Sequence, residues 1–386
     1  MEILKPKIRA VEIFPTIVDG KEMIILKDPL DLNPQMVFLS PESFFLITLM
    51  DGTRTSEDLR MEFFKKKGIL PSVEEISSLV KQLSLLGFLE DENFEIILKG
   101  KAEEFLRMGK RNPVCAGNSY PSSKEDLLKF LEEIDKIEVP ERERQPDFLI
   151  SPHLDINISK IAYAYSYKGL NLKGKNKIVL FGVAHQGLSK NLSLLPLPFE
   201  TPLGIVEIDE EITENFIGQF GKPDSFEVIS HIKEHSIELQ IIFLQYFIKE
   251  NFSIVPILVD GHRRSFKEYE GFFKWFLSRG DVFFIAGIDL SHIGPRYGDD
   301  FPATEDFMEK IKLEEKELFS YVIKKDRENF ENFYREKSGI LRICGIEILK
   351  MLMEFPVKDG IIRNHTTGFM PPLASAVNCI SADLYF

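Results

Sequence analysis

Cysteine is scarce in this chain: Cys115, Cys344 and Cys379 are its only thiols in 386 residues. That excludes a disulfide framework and a paired-cysteine zinc module, so each thiol must be judged singly. Positive charge is also short. Lys and Arg number 48 against 61 Asp and Glu, a formal net charge of −13, and no long basic run interrupts that balance. Nucleic acid is therefore not an expected partner. No uncharged apolar run reaches the roughly 18 residues that a membrane span requires. The opening MEILKPKIRAVEIF lacks the apolar core and small-residue cleavage site of a signal peptide. Together these absences predict a soluble, cytoplasmic protein with no membrane partner.

The length suffices for two domains, each with its own core. After a strand-like opening, NPQMVFLSPESFFLITLMDGTRTSEDLRMEFFKKKG and SVEEISSLVKQLSLLGFLE carry apolar residues at helical spacing. Ser and Asp stand at cap positions, and Gly68 and Gly87 at stops. Residues 1–95 are accordingly expected to form a small α+β domain. Residues 96–112, dense in charge, are expected to be a linker, and residues 113–386 a second domain that an amphipathic helix at SKEDLLKFLEEI leads into.

In that second domain the apolar runs DFLIS, KIVLFGV, FSIVPILV and DVFFIAGI alternate with helical patterns such as HSIELQIIFLQYFIKE. The alternation predicts an α/β domain whose central, mostly parallel sheet is sandwiched by helices. Ligands of such sheets bind beyond the carboxyl ends of the strands. The first run leads to His153, the second to His185, and the last to Asp289 and His292. One histidine after a strand is commonly a hydrogen-bonded loop residue, but three of the chain's seven fall at equivalent positions. Cys344 precedes an apolar helical run, where a helix N-terminus favours thiolate. Two imidazoles and a thiolate would make a three-ligand site suited to zinc, iron or copper. Glu234 and His235 precede a helix and are expected either to support such a site or to cap the helix. His231, His262 and His365 are expected to be surface or structural residues, Cys379 a core residue and Cys115 a structural residue where the second domain begins.

The motifs CAGNSYPSSKEDLLKFLEE, SPH, GVAH, TPLGIVEID, EHSIELQ, IVPILV, IDLSHIG, ICG and ASAVNCISADLYF occur in this order from about Val114 to the end. This stretch resembles the Memo family, also called protein B of the AmmeMemoRadiSam system. The resemblance implies a fold like that of class III extradiol dioxygenases, metal ligands at His153, His185 and Cys344, and Asp289 and His292 in the same pocket. The chain departs from the family in having Leu154, Asp155 and Ile156 where members usually have AGY, and Gln186 where many have a second histidine. LMDGTRTSEDL followed by VKQLSLLGFLE resembles PqqD-like peptide-binding domains and, more loosely, winged helices.

The leading functional expectation is a metal-dependent oxidoreductase of dioxygenase type, with iron or copper ahead of zinc as cofactor and Asp289 and His292 as catalytic residues. The alternatives are a zinc-dependent hydrolase and a non-catalytic metal-binding scaffold. The resemblance implies a radical S-adenosylmethionine protein or a peptide as partner.

Overall fold

The computed structural model describes residues 5–172, 174–261 and 265–386, so His262 lies outside the described residues. The chain divides into two compact units, Met1–Arg107 and Met108–Phe386.

The first unit is α+β. Strands β1 (Glu12–Val18), β2 (Lys21–Lys27) and β3 (Val37–Leu39) form an antiparallel sheet in that order. Four helices follow: α1 (Pro41–Thr48), α2 (Ser56–Lys67), α3 (Val73–Leu85) and α4 (Glu92–Arg107). Their ends obey local chemistry. Thr55 with Asp58 and Ser72 with Glu75 form reciprocal capping boxes that satisfy amides at the starts of α2 and α3. Gly68 closes α2 at φ 73°, a left-handed conformation that costs a residue without Cβ little. Leu26, Leu39, Ile47, Leu59, Ile76, Leu83 and Phe88 form the core. Beside it, Arg9 and Asp28 make a buried ion pair at 2.9 Å.

The expected linker is largely helix. Within 96–112, α4 runs to Arg107 and buries Leu98, Ala102 and Phe105. These apolar positions recur at helical spacing among many charges, and the charges had masked them.

The second unit begins with α5 (Lys124–Asp135), β4 (Phe148–Ser151), α6 (Ile156–Tyr167), β5 (Lys177–Val183), β6 (Leu192–Leu194), β7 (Phe199–Thr201) and β8 (Gly204–Val206). It continues with α7 (Glu210–Phe220), α8 (Ser225–Ile232), α9 (His235–Phe247), β9 (Ser253–Val259), α10 (Glu270–Ser278), β10 (Val282–Gly287) and β11 (Asp289–Ile293). It ends with α11 (Glu305–Lys324), α12 (Arg327–Leu341), α13 (Ile346–Leu352), β12 (Asp359–Met370) and β13 (Ser375–Tyr385).

The main sheet runs β11-β13-β4-β10-β5-β9-β6, with β12 also paired to β13. Its centre, β4-β10-β5-β9, is parallel, as expected. Antiparallel strands extend it on both sides, so the whole is mixed. The central strands read as continuous apolar runs because helices cover both faces. Phe148, Phe181, Phe284 and Phe355 cluster on one face with ring centroids 5.3–6.5 Å apart. Truncating one such ring typically costs about 3–5 kcal/mol.

Beyond the run DVFFIAGI, where Asp289 and His292 were expected to follow a strand end, a second strand begins. The chain leaves β10 at Gly287, turns at Ile288 and enters β11, which pairs antiparallel with β13. Packing is close at the break: a Cβ on Gly287 would lie 2.4 Å from the Ser236 carbonyl oxygen. His292 thus sits within an added strand instead of at the end of a parallel one.

Candidate metal centre

Three chain segments deliver the site. After β4, His153 is buried, and its Nδ1 lies 2.9 Å from the Gly287 carbonyl oxygen. A carbonyl can only accept, so Nδ1 carries the proton and Nε2 faces the site. After β5, His185 has Nδ1 at 2.9 and 3.1 Å from the two oxygens of Glu234. Its Nε2 is likewise left for the site. Gly182 on β5 allows this approach, because a Cβ there would stand 2.5 Å from Ser236 Oγ and 2.6 Å from Ile237. Cys344 follows α12, whose last turn ends at Arg342 in a left-handed conformation (φ 38°), and precedes α13. Gly345 packs its backbone so tightly on Ile288 that a Cβ would lie 2.4 Å from that side chain.

The result is a convergence. One ligand atom each from His153, His185 and Cys344 lies within 4.8 Å of the others. Cys344 Sγ is 3.3 Å from His153 Nε2 and 3.4 Å from the Asp289 carbonyl oxygen. The His153 and His185 rings stand at 88° with centroids 5.1 Å apart. Asp289 is buried; its Oδ1 accepts the His153 backbone N–H at 3.1 Å and its Oδ2 lies 3.6 Å from Nε2. His292 Nδ1 faces the carbonyl oxygens of Leu290 and Arg342, at 2.8 and 3.1 Å. Arg342 in turn donates to the His292 carbonyl and pairs with Asp299.

Glu234 makes two sets of contacts. Its side chain caps α9 by accepting the Ser236 N–H at 2.9 Å, and the same carboxylate holds His185. His235 stacks on His185 with centroids 4.8 Å apart and meets His153 edge-on at 5.1 Å. His185, Glu234 and His235 form a second group of possible ligands that shares His185 with the first.

The electrostatics are those of a thiolate among imidazoliums. Burial raises the Cys344 pKa, but the charge and hydrogen bond of His153, with help from His185 and His292, bring it down to about 6. Burial lowers His153, yet Asp289 and the Cys344 thiolate lift it to about 9. Burial acts against His185 too, and Glu234 with Cys344 raises it to about 11. Desolvation, opposed by Glu234 and reinforced by His153 and His185, holds His235 down to about 4.

A cavity of about 210 Å³ opens on His185 and Cys344, with Tyr334, Asp260 and Glu347 on its walls. None of these three was singled out in the sequence. Asp260 was within reach, because it directly follows β9 just as His185 closely follows β5. Arg111, placed in the expected linker, is another omission. It is fully buried, pairs with Glu238 at 2.5 Å, and donates to the carbonyls of His231 (3.0 Å) and Glu234 (2.6 Å), thereby anchoring the loop that carries Glu234. Cys115 donates its N–H to the same Glu238 at 2.9 Å.

The remaining residues are structural. His231 is buried on α8 against Ser193 Oγ (3.2 Å), His365 is bound to Glu315 (2.7 Å), and Cys379 is buried in β13.

The fold and the site define a class: a mixed α/β sandwich with a pocket lined by histidine and cysteine at the sheet's carboxyl ends. Comparison with known proteins narrows it. Residues 111–368 match the family described as Memo-like protein. A MEMO1 family protein of Aquifex aeolicus is 30% identical over 381 residues, covering 97% of this chain and 98% of the relative, so the alignment takes in the N-terminal unit. A second, from Thermus thermophilus, is 29% identical over 335 residues, or 85% of this chain and 98% of the relative. A third, from Saccharolobus solfataricus, is 32% identical over 234 residues, 56% of this chain and 82% of the relative. The chain belongs to the Memo-like protein family.

Proposed function

We propose that this chain holds one metal ion on His153, His185 and Cys344 and acts as a metal-dependent oxidoreductase on a small molecule or peptide, with iron or copper preferred to zinc. The observation that carries this reading is the approach of three ligand atoms to within 4.8 Å of one another beside an open cavity. The donor set fits such an ion. Each imidazole has Nδ1 committed to an oxygen, so Nε2 remains for coordination. Thiolate is the soft ligand that redox-active late transition metals accept.

A metal bound there would supply a Lewis-acidic or redox-active centre. The chain's own groups do the rest. Glu234 and the Gly287 carbonyl fix the imidazole planes. Asp289 holds the His153 backbone through Oδ1, and its second oxygen stands 3.6 Å from Nε2, beside the position the metal would take. His292 donates through Nδ1 to two carbonyls, which leaves Nε2 to take up or release a proton. Val183, Val259, Ile343 and Ile346 line the cavity and limit water. At about 210 Å³ it is smaller than the roughly 300–1,000 Å³ of drug-sized sites, so it admits a reacting group and not a large molecule. The resemblance to AmmeMemoRadiSam protein B supports a radical S-adenosylmethionine protein or a peptide as the partner to test first.

Purification without oxygen, metal analysis and a screen for oxygen uptake test the reading. Bound iron or copper with substrate-dependent uptake supports it. Stoichiometric zinc with hydrolysis and no oxygen uptake would replace it with a zinc hydrolase. Absence of both turnovers would leave a metal-binding scaffold.

A further inference from the structure

Strand β12 runs 12 residues and pairs with β13 along one side. Among the described residues no strand pairs with its other side. A free strand edge presents a row of backbone donors and acceptors that can template another strand. A groove of about 680 Å³ lies beside this edge, with Thr366 and Thr367 of β12 in its floor.

The walls of the groove come from opposite faces of the sheet, as the register shows. His365 and Asn378 both bond to Glu315 of α11, so their face, shared by Thr367 and Phe369, is the α11 face. Thr366 and Gly368 point the other way, where a Cβ on Gly368 would meet Leu154 and Ile158 at 2.6 Å. That is the α6 face.

We propose that the groove binds an extended segment of a partner protein as an added strand on β12, one in which apolar and basic residues alternate. Side chains alternate along a strand, so those of an added strand meet the α6 wall and the α11 wall in turn. The α6 wall offers Ile158 and Ile161, which are 38% and 50% exposed, while its one cation, Lys160, is paired with Glu133 at 3.5 Å. The α11 wall offers exposed Glu305, Asp306 and Glu309, against one cation, Lys312, which sits 2.7 Å from Glu309. The excess charge is negative and selects a basic side chain on that face. The same charge disfavours a second copy of this chain. A two-fold axis normal to the sheet would bring both α11 walls to the same face, acid against acid.

The experiment measures fluorescence anisotropy of labelled peptides of about eight residues with the full chain. A Lys–Val alternating peptide is expected to bind at least about tenfold more tightly than its Glu–Val counterpart. Replacing Glu305→Gln and Glu309→Gln together, at exposed positions that far-UV circular dichroism should show intact, is expected to remove most of that preference. N–H groups of alternate residues face opposite sides of a strand. N-methylation of all lysines or of all valines should therefore abolish binding in one case and spare it in the other. Equal binding of the Lys–Val and Glu–Val peptides, or indifference to both methylation patterns, would overturn the proposal. So would a concentration-dependent dimer that the Lys–Val peptide dissociates, since that would assign the edge to a second copy.

Discussion

Glu234 and His185 are joined twice: the carboxylate takes the imidazole Nδ1–H at 2.9 Å and the backbone N–H of the same residue at 3.3 Å. The first contact sets the tautomer and the second sets where the ring begins. Glu234→Gln removes the charge and keeps the shape. Burial already lowers the His185 pKa, and Glu234 is the main influence raising it, so the value is expected to fall from about 11 toward the ordinary imidazole range. Metal affinity should drop about 10- to 100-fold. NMR titration of the ring and competition with a chelating dye check the two effects separately.

Proton release should accompany metal binding. At pH 7 Cys344, at about 6, is already thiolate, whereas His153, at about 9, and His185, at about 11, each hold a proton that coordination must displace. Two protons are therefore expected to leave per metal ion, and affinity should strengthen as pH rises from 7 toward 9. Below pH 6 the thiol also takes up a proton and the loss steepens. Calorimetry in buffers of different ionisation enthalpy counts the protons. A count near zero at pH 7 would remove these three residues as the ligand set.

Cys344→Ser preserves volume but replaces a soft donor by a hard one. Affinity for copper(I) or cadmium is expected to fall by more than that for manganese. His185→Ala should lose metal outright, while His292→Ala should keep it at unchanged stoichiometry and impair only turnover. Metal content after dialysis distinguishes these outcomes.

Arg142 and Asp383 form an ion pair at 3.0 Å whose side chains are each about 1% exposed. Arg142 also donates to the carbonyls of Tyr165, Ser166 and Lys168 at the end of α6. Arg142→Met leaves a buried carboxylate and several carbonyls without that partner, and should cost about 3–5 kcal/mol in chemical denaturation. Adding Asp383→Asn should recover part of the loss.

The second unit contains every residue of the proposed metal set, so the fragment Met108–Phe386 is expected to fold and to take up metal as the full chain does. Metal loss from a fragment with native circular dichroism would make the N-terminal unit part of the site.

Several features were legible in the sequence for a simple reason: each depends on neighbours in the chain. The central strands announced themselves as short apolar runs because both faces are covered, and His153 and His185 could be located because they closely follow such runs. The cap at Ser72 and the stop at Gly68 were readable because capping is local hydrogen bonding. Tertiary structure decided what depends on distant segments. Cys344 reaches His153, 191 positions away, only because α12 ends in a left-handed turn and Gly345 lies against Ile288. β11 is a separate strand paired antiparallel with β13, a distant partner that no pattern within residues 282–293 encodes. Arg111 looked like a solvated linker charge because its buried partner, Glu238, lies 127 residues away. Local periodicity reports which face of an element is covered, but only long-range packing determines which groups are brought together beneath it.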